Sequence, residues 1–420
     1  MRAVIQNAGF RKLWIAGVVL GLGDAVFQMG LLEFFHAKGY TVRVETAKLF
    51  LAVSLPGFVF GPLVIAYLDR WQRRHVLMLG DALRALVVVL IAVWLLPVLT
   101  GRLEARGLLF VYSLVFVIGV VTTFYFPARY ALIPNLVPSD DLITANTLFT
   151  VSLAAAQVGG RAVGGFVAEQ CGVQWALLGN ALAYVASVGL VWGIQMQPHA
   201  TTGGPRAAEA DGGPGRRGGL ADLRDGLWYL WRHPTAIPLV AVTGAFAFLL
   251  GVFIVEIVGY AMETLHLGTG GLGYLIAPAG LGAGVGIVVM ARGKAWTRAA
   301  WLPFVQLMIV GVLLVALSGT TNVWLAGGLL TLLGCVGATV MIPIDAALQD
   351  EVEDQRRGAV FAARGMLTSA TMMVAFALPI WSPLFRRTPA PTILMWLGIG
   401  AAVAAALTYA ALRSRRKRTR

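Results

Sequence analysis

The chain has 420 residues, 58% of them hydrophobic and only 13% charged, with a mean hydropathy of +0.78. Soluble domains carry about 25% charged residues, so a solvated globular surface is excluded and lipid is the solvent this composition selects. The net charge of +13 and pI of 10.3 would suggest nucleic acid only if a soluble fold carried a basic face, so no nucleic-acid partner is expected.

A spanning helix needs about twenty mostly apolar residues. Twelve such runs follow one another, over 13–36, 45–68, 76–99, 107–130, 143–167, 173–195, 236–260, 270–291, 299–318, 323–346, 358–383 and 391–412. They are rich in Gly and Ala, which lets membrane helices approach closely, and their length argues against strands. Arg2, Arg11 and Lys12 precede the first run, which is too long for a signal-peptide core and shows no small-residue cleavage site. It reads as a retained span. Cys171 and Cys335 lie in different halves, too few for a disulfide framework or a zinc site, and read as small apolar fillers.

One stretch reads as a linker. "PHATTGGPRAAEADGGPGRRGGL", Pro198 to Leu220, is polar and rich in Gly and Pro, and cannot bury enough to fold alone. After it, Leu220, Leu223, Leu227, Leu230 and Trp231 share one face of a short helix suited to the membrane surface. The chain therefore divides into a six-helix bundle over 1–196, a cytoplasmic linker with an interfacial helix over 197–234, and a second six-helix bundle with a basic tail over 235–420. With both termini cytoplasmic and charges near span ends counted with the adjoining side, 24 of the 33 Lys and Arg are cytoplasmic and 7 outside, with Arg84 and Arg161 within spans, as the positive-inside rule requires. The tail "RSRRKRTR" is then an orientation anchor and a contact for anionic lipid.

The two halves repeat, a mark of transporter folds. Ser54–Arg70 aligns with Ile276–Arg292 at a shift of 222, matching Pro56 with Pro278 and Arg70 with Arg292, while Asp69 becomes Ala291. Glu33 falls within one residue of Glu256, and Pro127–Leu132 pairs with Pro343–Leu348 at a shift of 216, setting Arg129 against Asp345.

Between spans two and three stands "GPLVIAYLDRWQRRH". With twelve spans and the repeat, it resembles the signature of the major facilitator superfamily, G-x-x-x-D-R-x-x-R-R, matched by Asp69, Arg70, Arg73 and Arg74. The family's two glycines are Ile65 and Gln72 here. The resemblance covers the whole chain and implies an all-α membrane fold of two pseudo-symmetric bundles working by alternating access. A carboxylate at the end of span two can sit against a helix N-terminus and accept hydrogen bonds from arginines. Asp69, Arg70, Arg73 and Arg74, with Arg129 and Asp345, are therefore the candidate cytoplasmic gate. For Arg73 and Arg74 a plain topology signal is an equal reading. "LGLGDAVFQMG", "FPARYALIPNLVPSDDLITANTL" and "LADLRDGLWYLWRHP" are similar to bacterial macrolide-efflux and enterobactin-export transporters. Lysophospholipid flippases share much of this, including a Pro-Ala-basic-Tyr motif matched by Pro127–Tyr130.

Charges inside the membrane are functional candidates by default. Asp24 lies near the midpoint of span one beside Gly21, Gly23 and Gln28, and the resemblance puts span one on the central cavity. Asp24 is the first candidate for a coupling proton, with Glu33 and Glu256 after it, although both glutamates also read as wet interfacial residues. A structural Asp packing two helices is the alternative for Asp24. Arg161, in "GGRAVGG", resembles the antiporter signature of span five with arginine in the proline's place. It calls for Asp24, Glu33 or an anionic ligand as partner, and joins Gln28 as a candidate cavity residue; the alternative is snorkelling. Asp81 and Arg84, three apart, are expected to pair on one helix face.

"GTGGLG", Gly268 to Gly273, fits a dinucleotide pattern that has meaning only in a βαβ unit, and here enters span eight. "GLGAGVG", Gly280 to Gly286, reads as close helix packing. There is no Walker lysine pattern and no nucleophile, metal or acid–base constellation in the soluble segments, so neither an enzyme nor a cofactor is expected. The reading is a secondary transporter of the bacterial inner membrane, monomeric, exporting a small amphipathic molecule against entering protons. A lysophospholipid flippase is its rival, and a non-transporting scaffold or receptor on this fold the third possibility.

Overall fold

The computed structural model describes residues 2–67, 71–96, 105–194, 219–233, 236–293, 299, 301–352 and 354–418. Among them the fold is all helical. Eleven helices are long and apolar enough to cross a membrane, and Leu302–Ser318 is a shorter apolar twelfth. In chain order these are α1 Ala8–Ala37, α2 Val42–Tyr67, α3 Arg73–Leu95, α4 Ala105–Leu132, α5 Leu142–Gln170, α6 Val173–Trp192, α7 Ala236–Gly259, α8 Thr269–Arg292, α9 Leu302–Ser318, α10 Val323–Gly337, α11 Asp354–Trp381 and α12 Ala390–Arg418. After a turn at 338–340, α10 is continued by the helix Met341–Glu351.

The helices turn apolar side chains outward, the reverse of a soluble bundle. On α3, Leu79, Leu86 and Val93, spaced by seven, are exposed, while Asp81, Arg84, Val88 and Ile91 are buried. Such a helix is stable only where its exposed face meets hydrocarbon.

Packing divides the chain into two compact units. The first comprises Met1–Gly30, Ala52–Gly160 and Gly172–Asp222. Within it α3 packs on α4 and α6. Gly119 of α4 lies so close to α2 that a Cβ there would sit 2.5 Å from the Val53 carbonyl oxygen and 3.0 Å from Pro56. The second comprises Leu31–Leu51, Arg161–Cys171 and Leu223–Arg420. It pairs α9 with α12, α8 with α10, and α7 with α11 and α12. The second unit thus takes in the end of α1, the start of α2 and the end of α5, the ends of these helices farthest along the chain path from the N-terminal face; they are termed distal below.

The helix Gly219–Arg232 rests on the start of α11: Gly226 abuts the Ala359 carbonyl, and Arg356 lies 5.9 Å from the Tyr229 ring centroid. Tyr229 and Leu230 are buried, and Trp228 and Trp231 are exposed. Gly226, Tyr229 and Leu230 make up the face turned to the protein. Residues 195–218, which hold most of the expected linker, lie outside the described residues. One filler assignment is corrected: Cys171 is exposed at the turn after α5, whereas Cys335 is partly buried, its backbone pressed against Gly282 and Gly286 of α8.

Candidate functional site: two polar clusters among apolar helices

In the first unit a polar cluster joins four helices. Asp81 and Arg84 of α3 pair at 2.7 Å, with side chains 0% and 3% exposed. Three residues apart, they face the same way. Ser187 of α6 donates to the other Asp81 oxygen at 2.6 Å, and Tyr125 of α4 approaches it at 3.4 Å. The Arg84 guanidinium lies over the rings of Tyr125 and Tyr184, 4.0 and 5.0 Å from their centroids. Tyr184 in turn donates its hydroxyl to Asp24 Oδ1 at 2.5 Å. Asp24 and Gln28 are half-buried. Against Gly23, fully buried Asn180 has no hydrogen-bond partner for either amide atom among the described residues. The expected Asp81–Arg84 pair is present, and it belongs to one cluster with Asp24.

The second unit carries the other cluster, at distal helix ends. Arg43, the second residue of α2, is 6% exposed and pairs with Glu256 of α7 at 2.9 Å and with Glu263 at 3.1 Å. Glu263 lies on the π-helical turn Tyr260–Thr264 that extends α7, two turns beyond Glu256. Arg43 also donates to the backbone oxygens of Thr388 and Arg386. Its side chain crosses the backbone at Gly259, where any Cβ would overlap it. Glu256 is 0% exposed, so the wet interfacial reading fails for it. Glu33 accepts from Thr269 at 2.7 Å, and Glu169 from the Gly270 amide at 2.9 Å. Two carboxylates thus meet the first residues of α8, the positive end of that helix. Glycines on both sides make this junction close: Gly165 of α5 abuts Thr269, and Gly270 and Gly273 of "GTGGLG" abut Glu169 and Arg161. Arg161 itself is half-buried.

The candidate gate residues divide. Asp69 and Arg70 lie outside the described residues. Arg73 donates to the Ala131 carbonyl at 2.6 Å and Arg74 to that of Trp192, carbonyls at the negative ends of α4 and α6, where cations are favoured. Lys12 adds a bond to Gly193. Arg129 is 2% exposed, with the Phe126 and Phe149 rings 4.6 and 4.7 Å from its guanidinium, a cation–π environment. Asp345 pairs with Arg364 of α11. The sequence reading passed over Arg43, Glu169, Glu263, Tyr184 and Ser187. Arg43 precedes the predicted second span and carries no signal of its own in the sequence, and neither do the hydroxyls.

Among the described residues, eleven helices able to cross a membrane and a shorter apolar twelfth, with ion pairs buried between helices, define a polytopic membrane protein. The chain matches the Major Facilitator Superfamily over residues 13–376 and belongs to that family. It is 26% identical over 389 residues to an uncharacterized MFS-type transporter of Mycobacterium tuberculosis, covering 87% of this chain and 83% of that one. It is 25% identical over 418 residues to a lysophospholipid transporter of Escherichia coli (strain SE11), covering 96% and 95%. Among solved structures it resembles the nucleoside transporter NupG (TM-score 0.71, 10% identity, covering 96% and 98%). It also resembles a bacterial homolog of the human lysosomal transporter Spinster in an inward-facing, unoccupied conformation (TM-score 0.72, 12% identity, 97% of each chain).

Proposed function

We propose that this chain is a proton-coupled transporter that exports a small amphipathic molecule by alternating access, with both termini cytoplasmic. The observation that carries this is Asp24: a carboxylate midway along a spanning helix, half-buried and hydrogen-bonded to Tyr184. A coupling carboxylate must gain and lose a proton as its surroundings change between facing states, and Asp24 has both a partner and access. Glu256 and Glu33 act at the gate instead. With the distal ends outside, Arg43 with Glu256 and Glu263, and the two carboxylates on α8, close the outer side and must part when the transporter faces out. Asp69 with Arg129 serves the inner side, with Asp345 at the matching place of the repeat. Gln28 and Arg161 contribute to substrate contact.

A second reading, transfer of lysophospholipid between leaflets, is favoured by the full-length similarity to lysophospholipid transporters. Proteoliposomes with an imposed pH step separate the two. Export coupled to protons predicts that amphipathic cations collapse the step only when the protein is present. Transfer of labelled lysophosphatidylethanolamine with no proton movement would replace the first reading by the second. In the same vesicles Arg43→Ala should lower transport about tenfold or more, since a buried Glu256 loses its partner. Arg43→Lys should restore only part, for want of the planar fork. Wild-type rates in Arg43→Ala would remove the outer clamp from the mechanism.

A further inference from the structure

A cavity of about 500 Å³ lies between α7, α11 and α12 in the second unit. Its walls include Gly244, Phe248, Phe385, Ile393, Trp396 and Gly400. The one hydroxyl on the wall, Thr371, is spent on the Leu367 carbonyl of its own helix, so the surface is apolar throughout. The cavity is elongated: along α12 it runs from Ile393 to Ala404, about 16 Å at 1.5 Å per residue. One leaflet of a bilayer whose hydrocarbon is ~30 Å thick is about that deep. Nothing of the protein fills the floor, because a Cβ at Gly400 would meet no atom within 4 Å and one at Gly244 only Thr371, at 3.9 Å. At the distal mouth Phe385 is followed directly by Arg386 and Arg387, both exposed. The Arg386 carbonyl holds Arg43, which fixes the backbone there.

We propose that this groove binds an anionic glycerophospholipid, with one acyl chain lying along α12 and the phosphate on Arg386 and Arg387. Apolar depth matched to one leaflet fits a chain that enters from the lipid side. The two exposed arginines that follow Phe385 suit a phosphate, which arginine grips with paired hydrogen bonds. The site is separate from the Asp24 cluster, and its occupancy is read by binding, so it stands or falls apart from the transport reading.

The test uses full-length protein in mild detergent, titrated with phosphatidylglycerol or with neutral diacylglycerol and weighed by native mass spectrometry. Wild type should retain one phosphatidylglycerol in preference to diacylglycerol. Gly400→Phe fills the groove and should lower retention of both lipids about tenfold, the effect of ~1.4 kcal/mol. Gly244→Leu fills it from the opposite wall and should do the same, which keeps the test decisive if one variant fails to fold. Arg386→Gln with Arg387→Gln should lower phosphatidylglycerol about as much and leave diacylglycerol unchanged. Equal retention of phosphatidylglycerol by wild type and both filling variants would overturn the groove. Undiminished binding in the double arginine variant would overturn the phosphate contact.

Discussion

The α3–α6 pair of the first unit and the α9–α12 pair of the second hold equivalent places in the repeat, and they are joined by opposite means. Between α9 and α12 the backbones touch: a Cβ on Gly311 would lie 2.5 Å from the Gly398 carbonyl oxygen, and one on Gly398 as far from that of Gly311. Between α3 and α6 the contact is made by Asp81, Arg84 and Ser187. The shift of 222 sets Arg84 on Gln306, whose buried amide bonds Thr339 at 2.9 Å, a neutral bond in place of an ion pair. A glycine contact depends on shape and carries no charge that a proton could change. The ion pair is costly to bury and leans on every partner it has. The α9–α12 pair is therefore joined by shape, while the α3–α6 pair holds a charge network that reaches Asp24 through Tyr184.

That contrast is open to attack, first where the effect is largest. Arg84→Leu leaves Asp81 buried without its cation and should cost about 3–5 kcal/mol, read as a loss of stability in detergent unfolding. Replacing Asp81 by Leu as well should recover most of it. A single variant as stable as wild type would mean that the pair is not what joins α3 to the first unit. On the other side, Gly398→Leu forces α12 away from α9 and should cost about 1–3 kcal/mol by overpacking. If it unfolds like the wild type, the backbone contact is not what holds that pair. Smallest is Tyr184→Phe, which removes one hydrogen bond to a half-exposed carboxylate and should cost about 1 kcal/mol. Its value is directional: the variant should alter transport more than stability, and the reverse would make Tyr184 a packing residue.

Much of this fold is legible in the chain, because hydrocarbon demands long apolar runs and the repeat doubles every signal. The predicted edges of α1, α5 and α8 lie within a few residues of the observed helices. The pairing of Asp81 with Arg84 is legible too, since helix geometry alone brings residues three apart together. What could not be read is contact across distance. Arg43 meets Glu256, 213 residues away, and by sequence it is one more basic residue near a loop. Glu169 is an acidic residue at a span's end until α8 brings its first amides to it. The break in α10 at 338–340 has no Pro to announce it.

The central claim is that Asp24 carries the coupling proton. Asp24→Asn holds the group permanently neutral while keeping its size and its ability to bond Tyr184, so binding should survive when coupling does not. The direct measurement is substrate accumulation in proteoliposomes under an imposed pH step, with exchange at equal pH as the control. Exchange at near wild-type rate with no uphill accumulation is the result expected of Asp24→Asn. Accumulation against the gradient by that variant would contradict the account and leave Asp24 a structural hydrogen bond between α1 and α6.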